Sequence, residues 1–238
     1  MPGYTRRQLK EDKFAESAQG AAQWATGHRQ TVVLIVGVLI VAVIAVVGFF
    51  TWHNHMTEQG NTELATAMRT FDTQLIPADA PATAGDSGPR FTTIADRAKA
   101  AQKQFSATAD KYSAVAPGKI ARYMSGIALL QAGDKAGAEQ ELKKAADLSD
   151  KDVAALAKMA LASIYRESNR ASDAISLYKE LAERPTATVS KGAAQLELAS
   201  MYETTDPQQA VLIYQQVQKD DPQSAAAQLA TQKLSKAK

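Results

Sequence analysis

Residues 158–178 read KMALASIYRESNRASDAISLY, and the stretch recurs along the chain in altered form. Ala138, Ala174 and Ala210 stand 36 positions apart, as do Leu142, Tyr178 and Tyr214. Upstream of each, Gly126, Ala162 and Ala199 follow one another at steps of 36 and 37, and three positions after them come Leu129, Tyr165 and Tyr202. One unit therefore reads as a helix with a small residue followed by a bulky one, a short polar turn, and a second helix with Ala-x-x-x-Tyr/Leu. The turns are QAGDKAG at 131–137, RESNRAS at 166–172 and ETTDPQQ at 203–209. Small residues at fixed places let paired helices approach closely, and the bulky residue one turn on fills the gap in the next layer. Neither helix buries its apolar face alone, so the units must stack.

Upstream of these units, Phe91, Ile94, Ala98, Ala101, Phe105, Thr108 and Tyr112 form a stripe at helical spacing. It predicts a helix over 91–116, ended by Pro117 and Gly118. Leu64, Ala67, Met68, Phe71 and Leu75 predict another helix over 52–75. Between them, residues 77–90 are rich in Pro and Gly and read as a mobile surface excursion. Ala101 and Phe105 precede Ala138 and Leu142 by 37, which makes a divergent earlier unit plausible. No stretch alternates as a strand would. The fold class is all-α: one N-terminal transmembrane helix, then an α-solenoid of about three to four helical hairpins.

The membrane reading comes from residues 31–50, TVVLIVGVLIVAVIAVVGFF, which lack any charge, amide or proline. At about 1.5 Å per residue such a helix spans roughly 30 Å, the thickness of a bilayer's hydrocarbon. Val, a poor helix former in water, is tolerated there because lipid offers unpaired backbone groups no alternative partner. Trp24 and Trp52 bracket the stretch at the two headgroup levels. Arg6, Arg7, Lys10, Lys13 and Arg29 precede it, and only Arg69 is basic in the twenty residues that follow. The positive-inside rule then keeps the N-terminus in the cytoplasm and sends the bulk of the chain across. A cleaved signal peptide would have a shorter apolar core and a small-x-small site after it. Phe49, Phe50, Thr51 and Trp52 stand there instead and favour a retained anchor. The resulting layout is a cytoplasmic basic segment at 1–30, an anchor at 31–50, a membrane-proximal helix and loop at 51–90 and a repeat domain at 91–238. Within the first segment, residues 9–25 carry a weak helical pattern, and its cations are placed to touch anionic headgroups.

Beyond the anchor, Lys and Arg equal Asp and Glu in number, so no basic nucleic-acid-binding surface is expected despite a pI near 8.6. The absence of cysteine excludes disulfides, thiolate metal sites and a Cys nucleophile, and it fits a bacterial periplasm. No cofactor is implied. His28, His53 and His55 all border the apolar stretch, and two residues two apart on a helix do not face the same ligand. No Gly-rich phosphate loop or serine elbow stands out, so no enzyme is expected. Within the apolar stretch, Gly37 and Gly48 are nearly in phase on a helix and offer a groove for a partner helix, or are ordinary lipid-facing residues.

The repeating unit resembles the tetratricopeptide repeat. Gly126 with Ala138, Ala162 with Ala174, and Ala199 with Ala210 match that family's paired small positions; Tyr165, Tyr202, Tyr178 and Tyr214 match its aromatics; Pro185 and Pro222 lie near its closing proline. The departures are Leu129 and Leu142 in place of aromatics, and Arg122, Lys158 and Gln195 at the fourth position, where a large aromatic is common. The whole layout also resembles the ancillary subunit family of the bacterial SecYEG translocon, single-span inner-membrane proteins with a small repeat domain outside.

The resemblance implies a non-enzymatic interaction scaffold on the outer face of the inner membrane that assists exported chains. Its expected partners are translocon subunits, exported clients or periplasmic chaperones, with lipid around one span and no nucleic acid. An envelope-organising adaptor for cell-wall, division or secretion complexes is the alternative. In such repeats the second, fifth, ninth and twelfth positions of the first helix line the concave face. Carried over residue by residue, they give Ile120, Tyr123, Ile127 and Leu130, then Leu156, Met159, Ser163 and Arg166, then Ala193, Leu196, Ser200 and Glu203. The candidate partner-binding set is Ile120, Tyr123, Ile127, Met159, Ser163, Arg166, Leu196 and Glu203. The family's Lys and Asn clamp for a C-terminal carboxylate is absent. A mixed apolar groove suits extended or partly folded clients, and the same residues would equally fill the core of a tight stack.

Overall fold

The structure, a computed structural model, describes residues 27–77 and 89–236. The expected weak helix at 9–25, and residues 78–88 of the expected excursion, lie outside the described residues. The chain divides into two units, Met1–His55 and Met56–Lys238. Among the described residues there are nine helices: α1 (Arg29–Asp72), α2 (Ile94–Lys111), α3 (Ala116–Gln131), α4 (Lys135–Ala146), α5 (Lys151–Glu167), α6 (Ala171–Glu183), α7 (Lys191–Thr205), α8 (Pro207–Asp220) and α9 (Ala225–Lys236). The fold is an all-helical tetratricopeptide-like repeat.

In the first unit, α1 is long and apolar enough to cross a membrane, and none of its most apolar window is buried. Its Val, Leu, Ile and Phe side chains at 33–50 are 45–66 % exposed.

In the second unit, consecutive helices pack antiparallel neighbour on neighbour, and α3 also meets α5 as α7 meets α9. Residues 56–72 form a hairpin with α2. Ala67 and Phe71 pack against Ala101 and Phe105, and the two Phe rings meet edge to face at 5.9 Å. Three further hairpins follow, α3/α4, α5/α6 and α7/α8. The 36-residue register is the core register: Ala138, Ala174 and Ala210 are buried, as are Gly126, Ala162 and Ala199, and so are Leu142, Tyr178 and Tyr214. A Cβ placed on Gly126 would stand 2.6 Å from Leu142 Cγ. The small position of a first helix therefore accommodates the bulky position of the second, as the pattern requires.

Local chemistry sets the ends of the helices. Thr93, Asp134, Asp150, Ser190, Asp206 and Ser224 each accept a hydrogen bond from a backbone N–H in the first turn of the helix they open. Such caps satisfy donors that have no intrahelical partner. The turns inside the hairpins use left-handed backbone at equivalent places, Gly133 (φ 85°) and Asn169 (φ 58°), 36 apart. Gly and Asn are the residues that tolerate this conformation.

Three expectations are corrected. The helix expected over 52–75 ends at Asp72 and leaves Leu75 outside it. The helix expected over 91–116 runs only from Ile94 to Lys111, because Thr93 caps its start and Tyr112 leaves the helix. Phe91 instead pairs with Leu75 in an isolated parallel bridge, with Ile76 N–H donating to Phe91 O at 2.9 Å. Pro117 and Gly118 do not end a helix; they open α3. Proline has no N–H to lose in a first turn. Gly118 sits against the backbone of Tyr112, where a Cβ would approach the carbonyl oxygen to 2.0 Å.

Candidate protein-binding face

The first helices α3, α5 and α7 carry the expected concave residues, and the structure distributes them unevenly. Ile120 is 40 % exposed. Tyr123, Ile127 and Met159 are half-buried, each packed against the central core of α4, α5 and α6. Burial raises the Tyr123 phenol above its ordinary pKa. Leu196 leans on the core of α7, α8 and α9. Ser163 receives a long hydrogen bond from Arg166 at 3.4 Å. The apolar members thus share their surface between core and solvent.

The charged members are neutralised inside the protein. Arg166 bonds Glu197 Oε2 at 2.7 Å. Glu203 accepts from the Tyr214 hydroxyl at 2.7 Å and from Lys233 Nζ at 3.0 Å. The Tyr214 bond and, beyond it, Lys233 hold the Glu203 carboxyl below the usual range against some desolvation. Burial and then the Glu203 contact push the Tyr214 phenol up. Arg166, Leu196 and Ser200 come together in one cleft of about 170 Å³ with Lys233 on its far side. Glu203 lines a neighbouring cleft of about 370 Å³, floored by Ala210 and Val211.

Glu197 and Lys233 went unread at the level of sequence, although a signal for them exists. Lys135 pairs with Glu167 at 2.8 Å, Arg170 with Glu139 at 2.9 Å, Arg166 with Glu197 and Lys233 with Glu203. These pairs are 32, 31, 31 and 30 positions apart. Opposite charges slightly short of one repeat length therefore tie each unit to the next. Arg170 also lies over the Tyr165 ring, 3.9 Å from its centroid, which adds a cation–π contact at the same seam.

The unusual fourth position has a physical account as well. Arg122 reaches from α3 to Glu141 of α4 at 3.1 Å and to Asp110 of α2 at 2.6 Å; Lys158 reaches from α5 to Glu180 of α6 at 2.6 Å. Ion pairs join the two helices of a unit where an aromatic ring commonly would. In the third unit Gln195 has no such partner, and its Oε1 is buried without a hydrogen bond.

Gly37 and Gly48 lie on α1 with nothing within 4 Å of a Cβ built on either. Among the described residues no three His, Asp or Glu side chains gather as a metal site.

Comparison with known proteins agrees with this geometry. The profile of the tetratricopeptide repeat-like domain family matches residues 28–188. No curated protein sequence matches. Among solved structures, nearly identical TPR-like repeats of a protein described as a kinesin light chain, from Podosopora anserina, superpose with a TM-score of 0.53. The identity is 14 %, over 77 % of this chain and 86 % of that one, a likeness of fold alone. The family match takes in α1 to α6, and the repeat register carries on through α7 and α8 beyond it. With well over half of its length matched, the chain belongs to the tetratricopeptide repeat-like domain family.

Proposed function

We propose that this chain is a non-enzymatic, membrane-anchored interaction scaffold. Residues 31–50 cross the bacterial inner membrane, with the N-terminus cytoplasmic and the repeat domain periplasmic. There the domain assists exported chains at the Sec translocon. The observation that carries the reading is the unburied apolar surface of α1 in a chain that also carries a repeat fold of the adaptor type. Each large apolar side chain left in water forgoes about 1.5–3 kcal/mol, so a run of this length needs a non-aqueous neighbour. The family profile begins at residue 28 and so includes the apolar stretch, which supports a retained anchor over a cleaved leader.

The concave residues contribute apolar contact rather than charge, since Arg166 and Glu203 are already paired. Ile120, Tyr123 and Met159 suit clients that are partly folded and varied in sequence. The open faces of Gly37 and Gly48 offer a translocon helix a place to pack.

Photo-crosslinkers placed at Gly37 and Gly48 in the native membrane, read out by mass spectrometry, test the partner. Translocon subunits are the expected products. Cell-wall or division proteins in their place would replace this reading with an envelope-organising adaptor. An export-dependent reporter fused after Lys238 should be active, and a reporter that works only in the cytoplasm should be silent. The reverse pattern overturns the topology.

A further inference from the structure

The link between α6 and α7 is longer than its counterparts. Residues 147–150 join α4 to α5 and residues 221–224 join α8 to α9, whereas residues 184–190 join α6 to α7. The additional length folds into a turn, with Thr186 N–H donating to Val189 O at 2.9 Å. Thr188 fastens that turn to the start of α5, its hydroxyl donating to Asp152 O at 2.8 Å and its N–H to Asp152 Oδ1 at 3.3 Å. Val189 drops into the core beside Leu181 and Ala155. Pro185 and Thr186 are left standing as a wall, and behind the wall lies a cleft of about 520 Å³. This cleft is built by the irregular step in the repeat, and it is separate from the candidate concave face.

Its lining has a definite character. Leu148, Ala154, Ala155 and Leu181 make an apolar floor, and Lys151, Lys158 and Arg184 stand around it with one carboxylate, Glu180. Lys158 takes up Glu180 at 2.6 Å. Lys151 and Arg184 pair with no carboxylate among the described residues. Asp150 Oδ1 accepts two N–H groups at the start of α5, and Asp152 Oδ1 accepts the Thr188 N–H. The charged members of the candidate concave set, by contrast, are paired.

The geometry points to this cleft as a docking site for an acidic, apolar segment of a partner protein, its aliphatic or aromatic side chain on the floor and its carboxylates against Lys151 and Arg184. Charge complementarity selects the occupant. The lining carries three cations to one carboxylate, so it repels a basic segment and attracts an acidic one.

The test uses the full chain in detergent micelles and a short fluorescent peptide in which Glu alternates with Leu and Phe, carrying a photoreactive group. Its reference is the same peptide with Gln for Glu. The acidic peptide should bind, and the Gln form should bind less. Lys151→Gln with Arg184→Gln should weaken the acidic peptide roughly fivefold to tenfold while leaving the Gln form unchanged. Photolabelling of the parent chain should mark residues 148–155 and 181–186, a readout that does not depend on how the variant folds. Equal binding of the two peptides, indifference to the double substitution in a folded variant, or labels on α3 and α7 would each overturn the assignment. Labels on α3 and α7 would move the acidic peptide to the concave face, and none of these outcomes bears on the membrane topology.

Discussion

Small residues sit in helices in two regions of this molecule under opposite conditions. In the repeat, Gly126, Ala162 and Ala174 are buried, and a Cβ on Gly126 would run into Leu142. In the apolar half of α1, Gly37 and Gly48 face open space. Inside the repeat a small residue is demanded by a neighbour that already occupies the volume. In the apolar helix it is permitted because no neighbouring atom of the described chain claims the space. What separates the two cases in the sequence is periodicity: Gly126 has counterparts at Ala162 and Ala199, while Gly37 and Gly48 have none.

The sharpest way to break this comparison is Gly118→Ala. The new Cβ would meet the backbone of Tyr112 at 2.0 Å, and backbone cannot swing aside. The expected loss is about 2–3 kcal/mol even after a helix-propensity gain of about 1 kcal/mol, a fall of roughly 5–10 °C in Tm. An unchanged thermal melt would show that the approach of α2 to α3 is slack.

Ala174→Leu comes next. Ala174 is fully buried between α6 and its neighbours, so overpacking should cost about 1–3 kcal/mol. Gly126→Ala should cost less, because the two nearest atoms it meets belong to the Leu142 side chain. Its cost should shrink further when Leu142→Ala is already present, and a double-mutant cycle reads that coupling. Strict additivity would deny that the two positions touch.

The ion pair at the fourth position yields a smaller and pH-dependent effect. Burial on its own would raise the pKa of Glu141, but the hydrogen bonds from Lys144 and Arg122 outweigh it and hold the carboxyl below the ordinary range. A depressed carboxylate stabilises the fold above the unfolded value of about 4.3, and that contribution is lost as pH falls through the folded value. Arg122→Met should therefore cost about 1–2 kcal/mol at neutral pH, and its deficit relative to the parent should narrow below about pH 4. A deficit that stays constant down to acid pH would assign Arg122 a packing role alone.

The smallest expected effect is at the other pole of the comparison. Gly37→Ala and Gly48→Ala should leave the melt within about 0.5 kcal/mol of the parent. A larger loss would mean that this face of α1 is filled, as the repeat's small positions are.

The stack was legible because its signal is long-range and redundant: three copies of a small–bulky pair at one spacing leave little freedom in register. The limits of single helices were less legible. Phe91 fits a helical stripe by spacing and Pro117 reads as a stop, but a threonine cap and a buried glycine contact decided where α2 and α3 begin. The electrostatics around the expected concave positions were not legible. Whether Arg166 or Glu203 is available depends on Glu197 and Lys233, which reach them from neighbouring helices. The cleft behind Pro185 was hidden for a related reason, since a one-residue irregularity in the repeat step gives no hint of the wall it builds.

The bridge between Leu75 and Phe91 has a use in the laboratory. It joins the two ends of residues 76–90 independently of what lies between them, and Arg97 reinforces the near side by donating to Thr73 O at 2.9 Å. Closing a longer segment across fixed ends costs only about 0.6 kcal/mol for each doubling of its length. A change of length in this stretch should therefore leave the stack undisturbed, and an epitope tag spliced in here should leave both the apolar helix and the repeats intact.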